Sequence, residues 1–121
     1  MDEEVRCRAA SVYRDDMQCI ELVAAFYDRP REGFVPMLLG ENDGWKIVAR
    51  DVEGLLKHAS PSDVVIFMPI STELHLFHIG LYTGNGYCLS KMGEESGLYE
   101  LPLNEYILSY HSLTVLLCRR T

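Results

Sequence analysis

The sequence predicts one domain of mixed α+β class, in which an early buried helix packs against a later antiparallel sheet. A helical apolar pattern runs from about Met17 to Tyr27, and the continuous apolar run Val64–Met68 has the length of a buried strand. Further along, Thr83-Gly84-Asn85-Gly86 is a strong hairpin signal. Helix first and strands afterwards is the order typical of α+β proteins. The 121 residues fit a single domain spanning residues 1–121.

The first predicted element is the helix from about Met17 to Tyr27. Asp15 and Asp16 supply N-cap chemistry before it, and Arg29-Pro30 ends it. Apolar residues cover most of its circumference, with one face marked by Ile20, Val23, Ala24 and Tyr27. We therefore expect a central, largely buried helix.

The remaining elements follow from turn residues and apolar runs. Residues 30–44 are rich in Pro, Gly and acidic groups, which is typical of a loop. Short helices are predicted at Arg50–Ala59 and Pro102–Tyr110. After Val64–Met68, the further predicted strands are Leu74–Tyr82, Tyr87–Lys91 and Leu113–Cys118, which together suggest an antiparallel meander.

Charge and hydropathy exclude several classes of partner. The 18 acidic residues outnumber the 11 Lys and Arg residues, for a net charge of −7, so neither a nucleic acid nor an anionic membrane surface is an expected partner. The apolar stretches are too short to span a bilayer. The acidic N-terminus lacks the basic and apolar regions of a signal peptide, so we expect a cytoplasmic protein. Oligomeric state is not predicted.

The four cysteines, Cys7, Cys19, Cys88 and Cys118, include no C-x-x-C pair. A domain of this size needs no disulfide framework, and free cysteines are most often small buried hydrophobes. His75 and His78, with Cys88, suggest a metal site only superficially. Residues three apart in a strand point to opposite faces, so the two histidines do not face one ion. The sequence therefore predicts no metal and no cofactor.

Cys19 is the cysteine with a chemical interpretation. It lies at about the third position of the predicted helix, where backbone N–H groups are unpaired and suit a developing oxyanion. A thiol becomes a good nucleophile when it loses its proton, which an adjacent histidine favours and the nearby Asp15 and Asp16 oppose. Taken alone, a cysteine here is better explained as a buried residue of the helix than as a nucleophile.

Three stretches of the sequence resemble the NlpC-type cell-wall endopeptidases, a papain-like family. These stretches are Gln18–Val23, Asp63–Phe67 and His78–Gly86, which are similar to the family's "DCSGLV", "GDLVFF" and "HVGIYLGNG". The resemblance covers nearly the whole chain and implies a papain-like fold.

The resemblance also implies three site residues. Cys19 is expected as nucleophile, His78 as general base and Ser90 as the polar group that orients His78. Many family members carry His, Asn or Gln at the position of Ser90, and His111 is a second candidate for the orienting role. The family's Ser-Gly after the cysteine is replaced by Ile20-Glu21.

The register of the hairpin decides where Ser90 points. A three-residue loop, Thr83–Asn85, sets Ser90 opposite His78 on one face of the sheet. A two-residue loop, Asn85-Gly86, instead pairs Ser90 with Leu81 and turns it to the other face.

The function implied by the resemblance is hydrolysis of an amide bond through an acyl-enzyme intermediate, with a γ-D-glutamyl peptide of murein or a related peptide as substrate. The same Cys–His pair also serves acyltransferases, thioesterases and deamidases. A third hypothesis is a non-catalytic binding or regulatory module, which Ser90 and Ile20-Glu21 favour.

Overall fold

The structure is a computed structural model that describes residues 2–69, 78–92, 96–109 and 112–121. Its helices are α1 (Asp2–Val12), α2 (Cys19–Phe26), α3 (Phe34–Leu39), α4 (Val52–His58) and α5 (Leu103–Ser109). Its strands are β1 (Trp45–Ala49), β2 (Val64–Pro69), β3 (His78–Gly84), β4 (Tyr87–Lys91), β5 (Leu98–Pro102) and β6 (Ser112–Arg120). The predicted α+β class is confirmed.

The strands form one six-stranded antiparallel sheet in the order β1-β6-β2-β3-β4-β5. Strands β2, β3 and β4 follow each other as a meander, as the sequence predicts, and the unpredicted β5 continues it. The last strand, β6, departs from that pattern because it returns between β1 and β2. This return places β2 and β3 near the middle of the sheet, away from both edges.

Helices cover both faces of the sheet, and β2 shows why its sequence is apolar throughout. Val64 and Ile66 belong to a core cluster that also holds residues of α1, α2 and α3. Val65 and Phe67 belong to a second cluster, which includes residues of α4 and α5. Alternate residues of a strand point to opposite faces, so a strand covered on both sides lacks a polar face.

The central helix α2 begins at Cys19, two residues later than the pattern predicts. Its N-cap is Gln18, whose backbone N–H donates to the Glu21 carboxylate at 3.3 Å in a capping box. The predicted capping by Asp15 and Asp16 is therefore wrong. Arg31 braces the same helix end by donating to Gln18 Oε1 at 3.0 Å and to Glu21 Oε1 at 3.2 Å.

The other elements bring further corrections. The predicted loop at residues 30–44 contains α3, since Pro36 is tolerated in the first turn of a helix. Asp51 caps α4 by accepting from the Gly54 N–H at 2.7 Å, so this helix starts at Val52 and not at Arg50. The predicted strand Leu74–Tyr82 is described only from His78 onward, and its residues 74–77 lie outside the described part. The sequence analysis did not predict α1, β1 or β5.

An ion pair ties the start of β2 to the end of β6. The buried carboxylate of Asp63 accepts from Arg119 Nε at 3.0 Å and from an Arg119 terminal nitrogen at 2.7 Å. It also accepts from the Ser60 N–H at 2.9 Å, while Arg119 donates to the His58 carbonyl at 2.6 Å. The loop between α4 and β2 is thereby fixed to the sheet.

Within the described ranges, no helix combines the length and apolar character that a membrane crossing requires.

Candidate active site

Cys19 is the first residue of α2, and its half-buried side chain packs against the core cluster on the α1–α2 side of the sheet. The backbone N–H of Ile79, in β3, lies beside the sulfur and favours the thiolate. Ile79 immediately follows His78. The helix thus brings the sulfur to the beginning of the strand that carries the predicted base.

The environment of Cys19 keeps the thiol protonated at neutral pH. Burial raises its pKa, and this effect is the largest. Hydrogen bonds from the backbone N–H groups of Ile79 and Ile20, together with the positive charge of Arg31, lower the pKa in part. The free N–H groups of the helix start therefore act as expected, but burial outweighs them.

His78 is the first residue of β3 and is 1% exposed. Its imidazole stacks on the Tyr106 ring, with centroids 5.3 Å apart and planes at 20°, and lies 5.9 Å from the Phe67 ring centroid. Burial lowers the pKa of His78 to about 4. Burial disfavours the charged imidazolium, so at pH 7 the ring is neutral and keeps a lone pair able to accept a proton.

Ser90 lies beside His78, and the distance between His78 Nε2 and Ser90 Oγ is 2.9 Å. The same hydroxyl donates to the phenol oxygen of Tyr106 at 3.1 Å. These three side chains form a buried chain of hydrogen bonds on the α5 side of the sheet. Ser90 therefore contacts the imidazole in the way that an orienting residue would.

The register that brings Ser90 to His78 differs from both predicted alternatives. The turn is the two-residue Asn85-Gly86 loop, with φ of 54° and 79° at its two residues. The pairing shifts between Tyr82 and Gly84, however, so Leu81 pairs with Leu89. Ser90 is then level with Gly80, where an added Cβ would lie 3.3 Å from the Ser90 Cβ.

The register shift between β3 and β4 arises at one residue. Thr83 is the extra residue, and its buried hydroxyl lies 2.6 Å from Glu100 Oε2 and 3.3 Å from the Tyr87 carbonyl oxygen. Because residues of one parity share a face, the extra residue turns Ser90 back to the face of His78.

Cys19 and His78 do not form a hydrogen bond in the part of the chain that the structure describes. Cys19 packs on the α1–α2 side, whereas the ring partners of His78, Phe67 and Tyr106, belong to the cluster on the α4–α5 side. The structure therefore brings His78 and Ser90 together, and it brings Cys19 to the backbone of the neighbouring Ile79.

Two histidines considered in the sequence analysis, His75 and His111, lie outside the described residues. Tyr106 was not predicted as a site residue. It lies within the predicted helix Pro102–Tyr110, and only the fold brings its hydroxyl to Ser90.

Neither the models of known protein families nor the curated proteins compared with this sequence give a match.

Proposed function

We propose that this protein is a cysteine-dependent hydrolase with a papain-like fold of the NlpC type, and that it cleaves an amide bond through an acyl-enzyme intermediate. In this proposal Cys19 is the nucleophile, His78 is the general base and Ser90 orients the imidazole. The observation that supports it most is the 2.9 Å contact between His78 Nε2 and Ser90 Oγ. In β3, His78 is followed by Ile79, whose backbone N–H lies beside the Cys19 thiol.

The charge state of the two residues limits the mechanism. Burial raises the pKa of Cys19 and lowers the pKa of His78 to about 4, so both groups are neutral at pH 7. A preformed thiolate–imidazolium pair is therefore not the resting state. His78 has to take the thiol proton during the attack, as a general base does.

The proposed reaction has two balanced steps. The Cys19 sulfur bonds to the carbonyl carbon as its proton passes to His78, and the leaving amine takes that proton when the C–N bond breaks. Water then attacks the thioester and gives one proton to His78, which returns it to the sulfur as the carboxylic acid is released. The backbone N–H groups at the start of α2 are suited to stabilise the oxyanion of each tetrahedral intermediate.

The mechanism requires Cys19 and His78 to come within hydrogen-bond distance when substrate binds. In enzymes without substrate, catalytic hydrogen bonds are often long or poorly aligned and tighten in the complex. The thiol lies beside the N–H of Ile79 on one face of the sheet, whereas the imidazole is buried on the other face. The mechanism therefore requires the backbone at the start of β3 to turn when substrate binds, because rotation of side chains alone does not join the two groups.

The proposed substrate class is a γ-D-glutamyl peptide of the murein type, and this part of the proposal rests on the sequence resemblance alone. The test is to incubate the full chain with murein peptides and with an activated thioester, and to follow free amines and protein mass. Cys19→Ser and His78→Gln are the test variants. Cys7→Ser is the matched control, because Cys7 is a free but exposed cysteine in α1.

We expect peptide cleavage, or an acyl group on Cys19, in the unmodified protein and in Cys7→Ser. Both Cys19→Ser and His78→Gln should lose at least about 100-fold in rate, as for other nucleophile–base pairs. Equal rates in the unmodified protein and Cys19→Ser across both substrates would overturn the proposal.

The second candidate is a non-catalytic binding module of the same fold. The observation that favours it is the lack of a hydrogen bond between Cys19 and His78 among the described residues, together with the raised pKa of the thiol. It predicts that murein peptides bind without being cleaved. Isothermal calorimetry with the same peptides separates the two candidates, because binding with unchanged peptide mass supports the module and cleavage refutes it.

A further inference from the structure

We propose that Tyr106 is a positioning residue that fixes the tautomer of His78, with the proton on Nε2 and the lone pair on Nδ1. The tautomer follows from the hydrogen bonds of the three buried side chains and from the neutral state of the ring. Its meaning for catalysis, with Nδ1 as the atom that receives the Cys19 proton, rests on the proposed function.

The first step concerns the hydroxyl proton of Tyr106. This side chain is fully buried, and its hydroxyl oxygen lies 3.0 Å from the Cys88 carbonyl oxygen and 3.1 Å from the Tyr99 carbonyl oxygen. A carbonyl oxygen only accepts hydrogen bonds, and a tyrosine has one proton to donate. The proton of Tyr106 is therefore directed at these carbonyls, and its oxygen is left as an acceptor.

The second step concerns Ser90. Its hydroxyl lies 3.1 Å from the Tyr106 oxygen and donates to it. If the Ser90 proton instead turned to His78, two hydroxyl oxygens would face each other in a dry interior with no proton between them. Such a contact is unfavourable, because a buried polar atom that gives up its hydration needs a hydrogen-bond partner in return.

The third step reaches the imidazole. With its own proton directed at Tyr106, Ser90 offers only lone pairs to His78 Nε2 at 2.9 Å. A short contact of this kind then requires a proton on Nε2. Since the pKa of His78 is lowered to about 4, the ring carries one proton at pH 7, and that proton is on Nε2.

Tyr106 also orients the ring plane. Its own ring stacks on His78 with planes at 20°, so one residue restrains both the orientation and the protonation of the imidazole. This explains how a serine can replace the longer side chains expected at position 90. The short hydroxyl reaches the imidazole, and Tyr106 supplies the directionality that a hydroxyl by itself lacks.

The test is nitrogen NMR on protein labelled with ¹⁵N-histidine at pH 7, which distinguishes the two neutral tautomers from the shifts of the ring nitrogens. The His78 signals are assigned by their loss in His78→Gln. The unmodified protein is expected to show His78 with a proton on Nε2 alone. A proton on Nδ1 in the unmodified protein would overturn the inference without any variant.

Two variants and a control test the role of Tyr106. In Tyr106→Phe, the Ser90 proton has lost its oxygen acceptor and turns to Nε2, which is a stronger acceptor than the Met92 sulfur 3.8 Å away, so the Nδ1–H tautomer gains population. Ser90→Ala should also release the preference. Tyr82→Phe is the control, because Tyr82 is buried on the same face but its hydroxyl accepts from the Gly86 N–H at 2.8 Å. Equal spectra of Tyr106→Phe and Tyr82→Phe would refute the positioning role.

Catalysis gives an independent readout. With any substrate that the unmodified protein cleaves, Tyr106→Phe should lower kcat by about 2- to 10-fold with little change in KM, the equivalent of one hydrogen bond. If no substrate is cleaved but the His78 proton is on Nε2, the proposed function is refuted and the tautomer inference is confirmed. If substrate is cleaved but the His78 proton is on Nδ1, the proposed function is confirmed and the tautomer inference is refuted.

Discussion

The neutral, buried imidazole of His78 makes the stability of this protein depend on pH. The ring is 1% exposed between Phe67 and Tyr106, and burial lowers its pKa from 6.5 to about 4. In the unfolded chain the histidine is protonated below about pH 6.5. Lowering the pH therefore favours the unfolded chain, in which His78 binds a proton that it does not bind in the folded state.

The magnitude follows from the shift. Stability is unaffected by this group well above pH 6.5, falls as the pH drops below that value, and stops falling below about pH 4. One pKa unit corresponds to about 1.4 kcal/mol, so the whole shift is equivalent to about 3 kcal/mol. Between pH 7 and pH 5 the loss is about 2 kcal/mol, a range in which most carboxylates remain ionised.

The assay is urea denaturation of the unmodified protein and His78→Gln at pH 7, 6 and 5. Glutamine does not titrate, and the other three histidines are common to both proteins. The difference between the two pH dependences therefore isolates His78. We expect the unmodified protein to lose about 2 kcal/mol more than His78→Gln between pH 7 and pH 5.

Parallel pH dependences would refute this reasoning. They would mean that the imidazole is protonated in the folded state at little cost, so it could not be the neutral base that the proposed mechanism requires.

Two further predictions concern the ion pair and the nucleophile. Asp63→Asn should lower the free energy of unfolding by about 2–3 kcal/mol, because a buried carboxylate that accepts from Arg119 is lost. Glu53→Gln, whose carboxylate side chain is 82% exposed, should change it by less than about 0.5 kcal/mol, and similar losses in urea titrations of both variants would contradict the prediction. Iodoacetamide should alkylate Cys19 more slowly than the exposed Cys7 at pH 7, since burial raises the Cys19 pKa. Peptide mass spectrometry measures both rates in one sample, and a faster Cys19 would indicate a stabilised thiolate.

Elements with a local signal were predictable from the sequence. Helix α2 and strands β2 and β4 have apolar patterns of the right length, and each lies close to its predicted position. Strand β1 was missed because its extended conformation depends on pairing with β6, where Trp45 lies opposite Arg120. No local pattern encodes such a distant partner. Helix α3 was missed because Pro36 indicates a loop as readily as the first turn of a helix.

The candidate site was predictable as a set of residues but not as a geometry. The sequence indicates that Cys19 lies in the first turn of a helix and that His78 and Ser90 lie on neighbouring strands. It does not reveal which face each side chain takes, because that depends on a register shift at Thr83. Burial also changes the protonation of both Cys19 and His78, and burial is a property of the assembled fold.

The extra residue, Thr83, decides which face of the sheet each side chain of β4 takes. The presence or absence of one extra residue near the end of β3 exchanges Leu89 and Ser90 between the two faces of the sheet. Deleting this residue would place Leu89, in place of Ser90, against the imidazole without altering any side chain of the site. In this hairpin the number of residues in β3, and not only their identity, decides whether the histidine has a polar partner.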